Sequence, residues 1–273
     1  MRRIWALNRR HFYPFGRGWL LVPASVQTRS FRDNATRHWR PPRKPVQCVA
    51  APHAARNPVL QVTRILAVRH GETAWNRDTR IQGHTDIALN PHGQWQASRL
   101  AEALADEPIA AVYASDLQRA QETARAVAKM HNKQVSTHTG LRERGFGRFE
   151  GHTWAELEAR WPEESTAWRK RVPEFSPPGG ESLLQLRERV VNTVTELAAR
   201  HPGEQVLMVA HGGVLDILYR AATRLELQAP RSWELPNTAI NRLLWSPEGL
   251  SLVGWADTTH LQSADGTQTL DEH

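Results

Sequence analysis

Cysteine is nearly absent from this chain. The single Cys48 excludes an internal disulfide and a thiolate metal cluster, and a lone thiol fits a reducing, cytoplasmic compartment. Long apolar runs are also missing. No stretch approaches the roughly 18 residues that a membrane-spanning helix needs, so no membrane partner is expected. The apolar segment 18–24 is too short and too proline-bound for a convincing signal peptide. None of the 13 histidines falls in a His-Glu-x-x-His pattern, and no glycine-rich stretch matches a P-loop or a dinucleotide fingerprint. Composition and motif therefore point to no metal and no cofactor.

Acidic residues are scarce in one region only. Residues 1–61 hold eleven arginines and one lysine against a single acid, Asp33, whereas residues 62–273 hold 23 basic and 27 acidic residues. The formal net charge of +7 thus belongs to the first segment. The remainder is mildly acidic without a basic stripe, so no nucleic-acid partner is expected. Residues 1–61 show no sustained helical or strand period, and their composition predicts a basic, disordered extension. A presequence or an anion-binding arm would look similar; the favoured reading is a start site assigned too far upstream, with the organised protein beginning near Val62.

What is present from Ile65 onward is an alternation of apolar runs and helical patterns, the mark of an α/β fold with a mostly parallel sheet. Ile65-Leu66-Ala67-Val68 reads as a buried strand that switches abruptly to Arg69-His70-Gly71-Glu72-Thr73. Asn90-Pro91 caps a helix through about Asp106, with Trp95, Leu100 and Leu104 on one side. A strand over 109–114 leads to Ser115, read as the cap of a helix from about Asp116 to Met130 that presents Arg119 in its first turn. A short strand lies near 135–137. Residues 152–178 read as an insertion whose Trp154, Leu157, Trp161 and Trp168 have near-helical spacing, a pattern more often packing than ligand binding. Ser182 and Gln185 make a capping box for a helix to about Arg200. The strand 206–210 delivers His211-Gly212-Gly213 to a helix from Val214 to about Thr223, and strands near 240–245 and 250–255 finish the sheet with an antiparallel member. Residues 62–273 read as one domain.

Arg69, His70, Arg119 and His211 all fall at strand ends or helix starts, positions that a parallel sheet gathers along one edge. A histidine after a strand is usually structural and a surface arginine usually solvated; four such groups together, with a glycine-bearing helix N-terminus, make a pocket for a dianionic phosphoryl group.

The ordered set of motifs resembles the histidine phosphatase superfamily, the phosphoglycerate-mutase-like enzymes. It comprises Arg69-His70-Gly71-Glu72-Thr73 with Trp75-Asn76, Gln82-Gly83, Leu89-Asn90, Ser115-Asp116-Leu117 with Arg119-Ala120 and Glu122-Thr123-Ala124, Leu141-Arg142-Glu143 with Gly147, Gly180-Glu181-Ser182, and Val209-Ala210-His211-Gly212-Gly213. The resemblance implies a three-layer sandwich with a mostly parallel central sheet flanked by helices. It further implies that His70 accepts the phosphoryl group, that Arg69, Arg119 and His211 bind phosphate with help from Asn76 and Gly212, and that Glu143 donates a proton.

His211 is expected to be protonated, and Glu72 is expected to hold structure. Gln82 and Gly83 are expected to shape the leaving-group side. Arg169, Lys170 and Arg171 on the insertion are candidates for a substrate carboxylate, although such clusters are more often solvated. The segment Arg142-Glu143-Arg144-Gly145-Phe146-Gly147-Arg148-Phe149-Glu150-Gly151 looks more like the phosphatase branch than the mutase branch. The expected activity is therefore metal-independent hydrolysis of a small phosphorylated metabolite through phosphohistidine. The alternative is a phosphoglycerate mutase, an isomerase for which 2,3-bisphosphoglycerate would be the cofactor. A homo-oligomer is left open.

Overall fold

The computed structural model describes residues 62–262. The expectations placed on residues 1–61 and on the polar C-terminal residues lie outside that range. Strand β1 (Thr63–Arg69) pairs in parallel with β4 (Gln205–Ala210) on one side and antiparallel with β5 (Ile240–Ser246) on the other. Strand β2 (Ile109–Ala114) lies between β4 and the short β3 (Val135–Thr137), parallel to both. Strand β6 (Gly249–Asp257) closes the other edge, antiparallel to β5. The order is β3-β2-β4-β1-β5-β6. Only β5 runs against the other five strands, the one antiparallel member expected.

Alternation along β1 supplies both layers of core. Ile65 and Ala67 join the cluster under α6 (Leu183–Ala198) and α7 (Gly212–Thr223), with Leu186, Val190, Val194, Val214 and Leu218. Leu66 and Val68 face the cluster under α2 (Pro91–Ala103) and α3 (Gln118–Met130), with Leu100, Leu104, Ala120, Ala124 and Val127. A strand buried on both faces reads as an unbroken apolar run, as this one does. The result is a three-layer sandwich.

The helix starts follow local chemistry in most places. Asn90 accepts from the Gly93 N–H at 2.7 Å, and Ser182 and Gln185 exchange the two bonds of a capping box at 3.1 and 2.9 Å. Three expectations need correction. Ser115 does not cap α3, which starts at Gln118 after Leu117; the buried Ser115 hydroxyl instead accepts from the Leu117 N–H at 3.3 Å. Trp95 does not share the buried side of α2: Leu100 and Leu104 are fully buried, whereas Trp95 is 40% exposed and stacks on His92. Helix α7 begins two residues before Val214, at Gly212, directly after His211.

The insertion forms α4 (Trp154–Arg160) and α5 (Pro162–Arg169). The buried Phe149 ring stacks on both Trp161 and Trp168, and Trp154 meets Trp168 edge-on at 5.2 Å between centroids. The tryptophans at helical spacing therefore pack the insertion onto the domain, and Trp168 in addition reaches the site described next.

Candidate active site

The register of β1 against β4 sets the site. Arg69 lies opposite Ala210, and the His70 N–H donates to the Ala210 carbonyl at 3.0 Å, so residues 141 apart in sequence leave neighbouring strands side by side. The rings of His70 and His211 stand 5.1 Å apart between centroids, both buried. Strand β2, on the other side of β4, leads into α3 and brings Arg119 to the same edge. Helix α7 starts directly after His211, and its Gly213 N–H donates to the Glu143 carboxylate at 3.0 Å; a helix start favours such an anion.

His70 is fixed in one tautomer. Its Nδ1 lies 2.7 Å from the Gly71 carbonyl, which can only accept, so Nδ1 carries the proton and Nε2 presents a lone pair. Burial, followed by the charges of Arg119 and Arg69, pushes its pKa well below the usual histidine range. His211 is treated the same way by burial and then by Arg119, His70 and Arg69. The expectation of a protonated His211 is thus corrected for the ligand-free pocket: two arginines and a second imidazole beside a buried ring disfavour a third cation. Neither nitrogen of His211 has a partner among the described residues.

The arginines are held from behind. Arg69 donates Nη1 to the Leu235 carbonyl at 2.7 Å. Arg119 donates Nη1 to Thr85 O at 2.9 Å and Nη2 to Gly83 O at 2.8 Å. The Nε atoms of both are buried without a protein partner, which leaves donors for an anion. Burial lowers the Arg119 pKa to about 10, so the guanidinium remains charged at neutral pH.

Glu143 accepts from the Arg144 N–H at 2.8 Å and from the Gly213 N–H at 3.0 and 3.1 Å. Asn76 uses its carbonyl oxygen in the capping box of α1 (Ala74–Arg77), accepting from the Thr73 N–H at 3.1 Å, which leaves its amide N–H groups available. Arg69, His70, Asn76, Gln82, Gly83, Arg119 and Glu143 line one pocket of about 170 Å³, with Arg80, Phe146 and Trp168 at its wall.

His211 and Gly212 stand beside His70 and Arg69 without being part of that lining, and three expected residues of the insertion stay out. Arg169 pairs with Glu158 and lies over the Trp154 ring at 4.8 Å, its side chain 60% exposed, and Lys170 is exposed; neither lines the pocket. Arg171 is turned away to Asp216 at 2.6 Å. Glu72 accepts from Asn90 Nδ2 at 2.6 Å and ties the loop to α2.

Sequence reasoning chose Gly212, but Gly213 carries the tighter constraint. A Cβ on Gly212 would meet Arg69 Nε at 3.7 Å, whereas one on Gly213 would lie 2.2 Å from Glu143 Oε1. Thr123 stands in the motif set with no role assigned to it, and Asn237 was missed. Thr123 Oγ1 accepts from the Gly71 N–H at 3.0 Å and donates to Arg119 O at 2.8 Å, while Asn237 Nδ2 donates to His70 O at 2.7 Å. Thr123 falls four residues after Arg119, one helical turn on, a spacing that could have pointed to its role.

Among the described residues no group of three His, Cys, Asp or Glu side chains is placed to hold a metal ion, and no helix is long and apolar enough to cross a membrane. A model of the histidine phosphatase superfamily (branch 1) matches residues 65–258. The chain is 37% identical over 214 residues to phosphoglycerate mutase-like protein 4 of Arabidopsis thaliana, covering 77% of this chain and 92% of that protein. It is 38% identical over 207 residues to the metal-independent phosphoserine phosphatase of the same plant, covering 74% and 85%. Among solved structures, the phosphoserine phosphatase of Entamoeba histolytica in complex with 3-phosphoglyceric acid superposes with a TM-score of 0.64 at 28% identity, covering 73% of this chain and 99% of that one. With the paired histidines, the flanking arginines and the matched span in agreement, this chain belongs to the histidine phosphatase superfamily.

Proposed function

We propose that the protein hydrolyses small phosphomonoesters through a phosphohistidine formed on His70, without a metal ion or organic cofactor. The observation that carries this is a neutral His70 with Nε2 free, set beside buried arginine and histidine nitrogens that have no protein partner. Nε2 attacks phosphorus in line with the ester oxygen; the N–P bond forms as the P–O bond breaks. Arg69 and Arg119 neutralise charge on the equatorial oxygens, and Asn76 and the α7 N-terminus add donors. A dianion beside His211 favours its protonated form, so this ring takes up a proton on binding and becomes a further donor. Glu143 gives a proton to the leaving alkoxide and then accepts one from the water that attacks the phosphohistidine. Inorganic phosphate leaves and His70 is restored.

The pocket of about 170 Å³ takes a phosphoryl group and opens to solvent on the leaving-group side. Two of the named relatives are phosphoserine phosphatases, and one of these is bound to 3-phosphoglyceric acid. A three-carbon phosphorylated acid is accordingly the favoured substrate class, and a cytoplasmic location is the favoured setting. The mutase alternative keeps the same first step and is supported by the mutase-like relative.

The test is a product assay in excess chelator with O-phosphoserine and 3-phosphoglycerate, the latter also primed with 2,3-bisphosphoglycerate. Free phosphate without isomerisation is the expected result, and His70→Ala should lower turnover by roughly a thousandfold or more. Loss of turnover to chelator, or a fully active His70→Ala protein, would sink the metal-free covalent scheme. Rapid 2-phosphoglycerate formation with little phosphate would make the protein a mutase.

A further inference from the structure

The Arg119 guanidinium is aimed by two carbonyls, those of Gly83 and Thr85, at 2.8 and 2.9 Å. Carbonyls on a loop fix an arginine only as firmly as the loop itself is fixed. This loop is held by one side chain. Glu150 Oε1 accepts from the His84 N–H at 3.0 Å and from the Phe146 N–H at 3.1 Å; Glu150 Oε2 accepts from the Thr85 N–H at 3.0 Å and the Thr85 hydroxyl at 2.8 Å.

A single carboxylate therefore joins two segments that share no strand or helix: the loop behind Arg119, and the stretch that carries Glu143 three residues before Phe146. His84 closes the same junction from the other side, its Nε2 donating to the Glu143 carbonyl at 2.9 Å. The approach is so close that position 83 has to be glycine. Its φ of +53° is in the left-handed region, and a Cβ there would lie 2.1 Å from Glu150 Oε1. Glu150 is not among the residues that line the pocket.

We propose that Glu150 is a positioning residue for phosphoryl transfer: it clamps the 82–85 loop to the 143–147 segment and thereby fixes the Arg119 guanidinium and the Glu143 carboxyl about one substrate. Charge as well as shape makes the clamp, because an ionised carboxylate takes several N–H and O–H donors at once where a neutral amide cannot. This proposal rests on the phosphatase reading.

Its test is a double-mutant cycle on the full chain. Glu150→Gln keeps the size of the side chain but turns an NH₂ group toward groups that are themselves donors. We expect kcat/KM to fall by roughly 10- to 100-fold, and binding of vanadate, followed by a competition assay, to weaken in parallel. The decisive readout is coupling with Arg119→Ala. If Glu150 acts through Arg119, Arg119→Ala costs much less in the Glu150→Gln background than in the wild type. A purely structural anchor would lower the melting temperature yet leave the two kinetic losses multiplicative.

Thr85→Val removes one of the four bonds and guards against a misfolded Glu150 variant. It should lose activity in the same direction by about two- to tenfold. Wild-type kcat/KM in Glu150→Gln, or multiplicative losses in the cycle, would overturn the proposal while leaving the phosphatase reading intact. A wild-type protein that neither hydrolyses phosphomonoesters nor binds vanadate would overturn that reading, and the proposal with it.

Discussion

At the scale of single residues, the site is set by hydrogen bonds that leave each reactive atom free. His70 is held by its Nδ1 and by its carbonyl, through Gly71 and Asn237, so Nε2 has no other duty. Glu143 is held by the amides of Arg144 and Gly213. Gly213→Ala places a methyl 2.2 Å from Glu143 Oε1, so the carboxylate must swing away. We expect kcat for esters with poor leaving groups to drop by roughly 100-fold. An activated ester such as p-nitrophenyl phosphate, whose leaving group needs no proton, should be much less affected in its phosphorylation step. Rapid-quench measurement of phosphohistidine checks this; equal losses on both esters would show that Gly213 acts on something other than proton donation.

At the scale of elements, legibility followed sequence distance. The strand ends at Arg69-His70 and Ala210-His211 were readable because the switch from an apolar run to charged residues is local, and so were the Asn90 and Ser182 caps. The start of α3 was not. Ser115 has the residue type of a cap, but its hydroxyl accepts from the Leu117 amide two residues on, a local turn that competes with the cap and delays the helix to Gln118. The roles of Asn237 and Glu150 were silent, since bonds to partners 167 and 66 residues away impose no local pattern, and Thr123 shows its helical spacing to Arg119 but not its bond to Gly71, 52 residues away. Arg169 and Lys170 misled for the opposite reason. A basic cluster is conspicuous in sequence, yet on a two-helix insertion it falls where solvent and Glu158 take the charge.

The third member of that cluster does connect elements. Arg171 donates to Asp216 Oδ2 at 2.6 Å and to the Leu227 carbonyl at 2.7 Å, tying the end of the insertion to α7, while Arg220 holds the same Asp216 oxygen at 3.0 Å. Breaking a buried pair costs about 3–5 kcal/mol. Arg171 is 23% exposed and Arg220 still neutralises Asp216, so we expect Arg171→Ala to cost roughly 1–2 kcal/mol by urea unfolding. Because Trp168 of the insertion lines the pocket, KM should rise more than kcat falls. A stable variant with unchanged KM would show that this tie does not hold the pocket wall.

At the scale of the whole molecule, the central strands bring two histidines into a buried site already occupied by two arginines, and the fold bears the consequence. Both imidazoles are held neutral in the folded protein, with pKa values well below the ordinary one near 6.5 that the unfolded chain retains. Above that value neither state protonates them and they cost nothing. Below it the unfolded chain takes up protons that the folded pocket refuses, so stability falls as pH drops from about 7 toward 5. The slope is up to about 1.4 kcal/mol per pH unit for each histidine. Sulfate, which stays dianionic over this range and resembles phosphate, should offset much of that loss, because a bound dianion allows His211 to be charged. The melting temperature gained from a fixed sulfate concentration should therefore be larger at pH 6 than at pH 8. His211→Gln, which cannot titrate, should flatten that difference. If the gain were independent of pH in the wild type, His211 would not be the group that takes up a proton with the anion, and phosphate recognition would rest on the arginines and the α7 N-terminus alone.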